Sequence, residues 1–70
     1  MSKRERVHKP MTAKEFQSRR QVLGLNQTDL ARVLGVHRLT VHKYEHGLLD
    51  VPQMVALVMR LASKHGGFDM

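Results

Sequence analysis

Gly35 interrupts two short apolar patterns in the stretch NQTDLARVLGVHRLTVHKYEHG, residues 26–47, and no other feature of this chain constrains its fold as much. Before the break, Leu30, Ala31 and Leu34 mark the inward side of a helix over 27–34, opened by Asn26 with Asp29 three residues on. After it, Val41 and Tyr44 mark the inward side of a helix over 37–46, stopped by Gly47. Each segment is too short to be stable alone, so the two must pack on one another and on a third element. A connection of about three or four residues, opened by a left-handed glycine, turns the chain sharply enough for that. Ala31 is small enough for a close helix crossing, and Val36 plugs the corner. The second helix is then held by one face, and its outer face carries Arg38, Leu39, His42 and Lys43.

The flanks complete an all-α, four-helix domain. Thr12 with Glu15 has the spacing of a capping box, and Ala13, Phe16, Arg20 and Leu23 share one face, so a first helix runs over about 12–23 and ends at Gly24. LLDVP reads as a loop, and Pro52 suits the first turn of a fourth helix over 52–64. Residues 1–10, MSKRERVHKP, read as a flexible basic arm, 11–65 as the domain, and 66–70 as a frayed tail. In the fourth helix Met54, Leu57, Val58 and Leu61 are expected in the core. Val55, Met59 and Ala62 form a second stripe, more than one buried face requires. With Val51 and Met54 near its edge, that second stripe is the expected surface for a second copy of the chain.

Charge narrows the partner. Twelve Lys and Arg against six Asp and Glu give +6, and residues 1–20 hold +5 of it. Such an excess suits nucleic acid or another anionic surface. There is no cysteine, which excludes disulfides, zinc fingers and thiol chemistry. No apolar segment follows the charged N-terminus, and the apolar run around Val55–Met59 is far short of a membrane span, so a cytoplasmic protein is expected. The histidines and acids make no nucleophile–base–orienter set, and 70 residues leave no room for a deep dry pocket. Neither catalysis nor a cofactor is expected. His42 and His46 stand at i, i+4 and could share a metal, but no third ligand falls at the usual spacing, so no metal site is expected.

The same residues carry a resemblance. LNQTDLARVLGVHRLTVHKYEHG resembles the helix-turn-helix of the phage-repressor/Cro-type, XRE-like family. The match lies in Gln27 opening the second helix, Leu30-Ala31, the turn Gly35-Val36, the inward Val41, and Glu45 two before Gly47. PQMVALVMRLA is similar to the last helix of minimal, single-domain members. The resemblance implies sequence-specific binding to double-stranded DNA with the third helix in the major groove. By position it implies base reading by Arg38, Leu39 and Lys43, with His42 beside them reading an edge or touching a phosphate. It implies phosphate contacts at Gln27 and His46, with Asn26 and Thr40 added to that set, and a salt bridge between Arg20 and Glu45. Two departures matter. His37 stands where Ser or Thr is the more usual cap, and Leu39 replaces a commonly polar residue, so the target sequence cannot be copied from a relative.

The leading expectation is a dimeric repressor reading an inverted repeat, possible settings being autoregulation and a phage or prophage operon such as an anti-CRISPR operon, in a bacterial or phage-encoded, nucleoid-associated protein. The alternative is the antitoxin of a toxin–antitoxin pair, binding DNA and a protein partner. The arm either contacts DNA or only solubilises the chain.

Overall fold

Three helices end in the same way, and those ends set the angles between them. In the computed structural model, which describes residues 10–67, the elements are α1 (Ala13–Val22), α2 (Gln27–Leu34), α3 (Arg38–Glu45) and α4 (Gln53–Lys64), with no strand among the described residues. At the end of α2, Gly35 takes the left-handed conformation (φ 74°, ψ 29°) that a side chain would strain. The N–H of Val36 then reaches the carbonyl of Ala31 at 3.0 Å, and that of Gly35 reaches Arg32 at 3.3 Å, the paired bonds of a Schellman motif. The ends of α1 and α3 repeat these bonds, Leu25 to Arg20 and Gly24 to Gln21, then Leu48 to Lys43 and Gly47 to Tyr44.

The starts follow the expected caps. Thr12 Oγ1 accepts the N–H of Glu15 at 3.0 Å, and Asn26 Oδ1 that of Asp29 at 2.7 Å. The capping box of α1 is only half closed, however. Glu15 commits its carboxylate to Arg19 Nε (2.9 Å) and to Arg60 Nε (3.1 Å) of α4. Arg60 also donates to the carbonyl of Pro10, and Arg19 to Ser63 Oγ at 2.6 Å, so α1, its lead-in and α4 are tied together at one edge.

Inside, α2 packs on α3, and α1 lies against both α3 and α4. Phe16, Leu30, Val41, Tyr44 and Met59 form the centre, with Leu23, Leu25, Leu34, Val36 and Val55 packed round them. Phe16 and Tyr44 meet edge to face, centroids 5.4 Å apart, a preferred aromatic geometry. Burial pushes the Tyr44 phenol above its ordinary range, which keeps it neutral. Met11 and Val51, just ahead of α1 and α4, are also buried.

The fourth helix is turned the other way round from the expectation. Met59 is 0% exposed, and Val51, Ala56 and Ala62 are buried with it, whereas Met54 (70%), Leu57 (49%) and Leu61 (50%) face outward, as does Val58. Val51, Met59 and Ala62 are therefore core residues and not a surface stripe; Val55 is half-buried, and of the expected interface set only Met54 stands fully outward. The reason is steric. Ala56 and Ala62 let α4 approach α1 closely with Met59 filling the space between, and the larger Leu57 and Leu61 would hold the helices apart. The basic arm at 1–10, apart from Pro10, and residues 68–70 of the tail lie outside the described residues.

The edge network predicts an acid-side effect. Hydrogen bonds from Arg60 and then Arg19 hold the Glu15 carboxyl below the ordinary carboxylate range, against a smaller opposing push from burial. A lowered folded value means that the pair's contribution is complete above the ordinary range and is lost as pH falls through the folded value. Glu15→Gln should therefore lower the melting temperature modestly near neutral pH, since the carboxylate is still 32% exposed and partly screened by water. The gap to wild type should close below about pH 4. Thermal melts across that range check it, and a gap that stays constant with pH would refute the pairing.

Candidate nucleic-acid interface

One face of α3 is left outward by the packing of the other. At 100° per residue, Arg38, Leu39, His42, Lys43 and His46 fall within about 140° of arc, opposite the buried Val41 and Tyr44. Arg38, Leu39, Lys43 and His46 are exposed and His42 is half-buried. The rings of His42 and His46 stack, centroids 4.1 Å apart and tilted by 37°. This face carries two fixed cations and no acid, because the only acid of α3, Glu45, is turned inward. Leu39 supplies the one large apolar side chain on it, 47% exposed.

Glu45 holds the helix from behind. Arg20 Nε donates to Glu45 Oε2 at 2.5 Å and Nη2 to Oε1 at 3.1 Å, a bidentate pair with side chains only 14% and 2% exposed. The remaining guanidinium N–H groups are not idle, since Nη1 donates to the carbonyl of Leu25 at 2.9 Å. Gln27 Nε2 reaches Glu45 Oε1 at 3.2 Å. A single carboxylate thus joins α1, α2 and α3 and fixes the angle at which α3 is presented.

That bond refines the reading of Gln27. The resemblance implies a phosphate contact there; the structure places Gln27 half-buried, with one amide hydrogen given to Glu45. An amide carries two such hydrogens and an acceptor oxygen, so a pre-oriented Gln27 can still offer a donor outward. Asn26 lies beside it, exposed, with Oδ1 already capping α2. Thr40 is half-buried on the flank of α3, away from the centre of the outer face. His46 is the C-terminal cap residue of α3, next to His42. The expected base-reading set is therefore gathered on one face, and the expected phosphate set is divided between the start of α2 and the two ends of α3.

One cap departs from the usual residue types. His37, standing where Ser or Thr is more usual, accepts the N–H of Leu39 on Nδ1 at 3.1 Å and does cap α3. The signal was the position itself, because an imidazole nitrogen without a proton is as good an acceptor as a hydroxyl. Among the described residues no group of three or more His, Asp or Glu comes together as metal ligands would, and no helix is long and apolar enough to cross a membrane. A shallow groove between α1 and α4, about 510 Å³, has Glu15 as the only carboxylate among its described lining residues, and that carboxylate is bonded by Arg19 and Arg60.

A family model described as "Helix-turn-helix" matches residues 16–63 of the 70, from the middle of α1 to the last turn of α4. No curated protein and no solved structure matches the chain.

Proposed function

This chain belongs to the XRE-type helix-turn-helix family of DNA-binding transcription regulators, and from that premise we propose that it acts as a dimeric repressor on an inverted-repeat operator. The observation that carries the reading is the outer face of α3, where Arg38, Leu39 and Lys43 stand exposed on a helix clamped from behind through Glu45. Arg38 and Lys43 are suited to guanine O6 and N7, and Leu39 to a thymine methyl. His42 lies between them on the same face. The N-terminus of α2, with Asn26 and Gln27, and the ends of α3, with Thr40 and His46, are suited to phosphates. No catalytic role is proposed for the α1–α4 groove, whose one carboxylate among the described residues, Glu15, is bonded to Arg19 and Arg60.

A second copy follows from how little one helix can read. A single recognition helix covers a few base pairs, too few to select one promoter. On α4, Met54, Leu57, Val58 and Leu61 are exposed at i, i+3, i+4 and i+7, the spacing at which a helix stripe fits a copy of itself. We place the dimer contact there, and a two-fold axis then sets the recognition helices about 34 Å apart on successive major grooves. Repression follows by occlusion of the promoter.

Selection of bound fragments from random DNA tests the reading, with a recovered consensus of two-fold symmetry as the expected result. No enrichment, or an asymmetric consensus, would overturn it. On the recovered operator, Arg38→Ala and Lys43→Ala should each cost about 1–3 kcal/mol and change binding to random DNA little. Gln27→Ala should weaken both, because phosphates carry no sequence information. Equal losses on the two DNAs for Arg38→Ala would remove it from the reading set.

A further inference from the structure

The recognition helix begins on a histidine, and the hydrogen bond there decides which ring nitrogen is bare. Nδ1 of His37 accepts the N–H of Leu39 at 3.1 Å from an extended backbone (φ −73°, ψ 146°). A nitrogen that accepts an N–H carries no proton, so the ring proton sits on Nε2 and the ring is neutral. Protonation of Nδ1 and this cap are mutually exclusive, whereas a hydroxyl or amide cap would not respond to pH. A charged ring would also stand at the positive end of the helix dipole. The first turn of α3 contains no acid to offset that.

The acids on these helices are already engaged. On α3 itself these are Arg38, His42, Lys43 and Glu45, and Glu45 is bonded to Arg20 of α1. On α2, packed against α3, Asp29 and Arg32 pair with each other at 3.4 Å. On α1, Glu15 pairs with Arg19, and Lys14 is exposed. Asp50, in the loop after α3, is engaged as well. Each acid on these three helices already faces an arginine.

We propose that His37 is a pH-sensitive positioning residue of the DNA interface, whose neutral ring holds the first turn of the recognition helix and whose protonation releases that turn and lowers specific DNA affinity. The proposal rests on α3 being the DNA-reading helix. Arg38 and Leu39 follow the cap directly, so fraying of that turn displaces them, while Val41, Tyr44 and Glu45 keep the rest of α3 seated. Imidazole is the one side chain whose unperturbed charge change lies between about pH 5 and 8, which sets the range of the test.

The test compares the full chain with His37→Asn, a capping side chain that does not titrate, and with His37→Ala, on the recovered operator at constant ionic strength from pH 8 to 5.5. His42 and His46 are present in all three proteins, so the readout is the affinity ratio of wild type to His37→Asn. That ratio should fall about fivefold on acidification, a typical worth of a helix cap, while the ratio of His37→Ala to His37→Asn stays low and constant. A wild-type ratio independent of pH overturns the proposal. A ratio that rises as pH falls also overturns it, by making charged His37 a phosphate contact. Hydrogen exchange at the Leu39 amide of the free protein needs no DNA. Its protection should drop on acidification in wild type only, and an unresponsive amide overturns the cap itself. A responsive amide in a chain that binds no DNA would instead overturn the reading of α3.

Discussion

Glu45→Ala is expected to leave this domain largely unfolded at room temperature. The carboxylate is 2% exposed and takes three hydrogen bonds, two from Arg20 and one from Gln27. Its loss strands a guanidinium that is itself only 14% exposed and whose other partner is the carbonyl of Leu25. Breaking one side of a buried pair costs about 3–5 kcal/mol, because the remaining charge is left without compensation. Native domains have about 0.05–0.15 kcal/mol of stability per residue, so that loss is comparable with everything a chain this short has. Chemical denaturation checks it, and a Glu45→Ala protein that unfolds like wild type would show the pair to be solvated. A double replacement, Arg20→Met with Glu45→Leu, should recover much of the stability, since an apolar pair of similar volume avoids the desolvation cost. It should not recover DNA affinity in full, because Gln27 loses the partner that orients it.

Leu57→Asp and Leu61→Asp should each split the proposed dimer while leaving the helices intact. Both side chains are about half exposed in the single chain, so a carboxylate there remains solvated in the monomer. Across a two-fold axis it would meet its own copy, and two buried like charges exclude association. Binding to an inverted repeat should fall by about 10²–10⁴, the gain that linking two sites normally provides, well beyond the loss of any one base contact. Sedimentation and operator binding on the same samples separate the two effects. Met59→Asp is the informative contrast. At 0% exposure it places a charge in the core, so it should unfold the chain and not merely divide a pair. A Leu57→Asp protein that still binds the operator as a pair would move the interface off α4.

Much of the fold was legible because it is written in short-range rules. Thr12, Asn26 and Gly35 each act within four residues of themselves, through bonds that the backbone must make to end or begin a helix. The outward set of α3 followed from the same period that placed Val41 and Tyr44 inward. The Arg20–Glu45 pair spans 25 residues, beyond the reach of local rules, and was legible only through the family register. The half-closed capping box shows the limit of such rules. Glu15 stands at the right spacing, but Arg60, 45 residues away, offers it a charged partner in place of a backbone N–H.

The sequence by itself determined four helices, the caps Thr12 and Asn26, the Gly35 turn and the face of α3 that looks outward, because each rests on contacts between near neighbours or on a single unambiguous apolar stripe. The orientation of α4 was decided only by tertiary structure. Its two stripes, Met54–Leu57–Val58–Leu61 and Val55–Ala56–Met59–Ala62, are both apolar, so periodicity locates them without ranking them. What ranks them is the space left beside α1, which admits two alanines and a flexible methionine at close range and leaves the bulkier leucines outside. Packing volume is a property of two surfaces together, and one helix read alone contains only half of it.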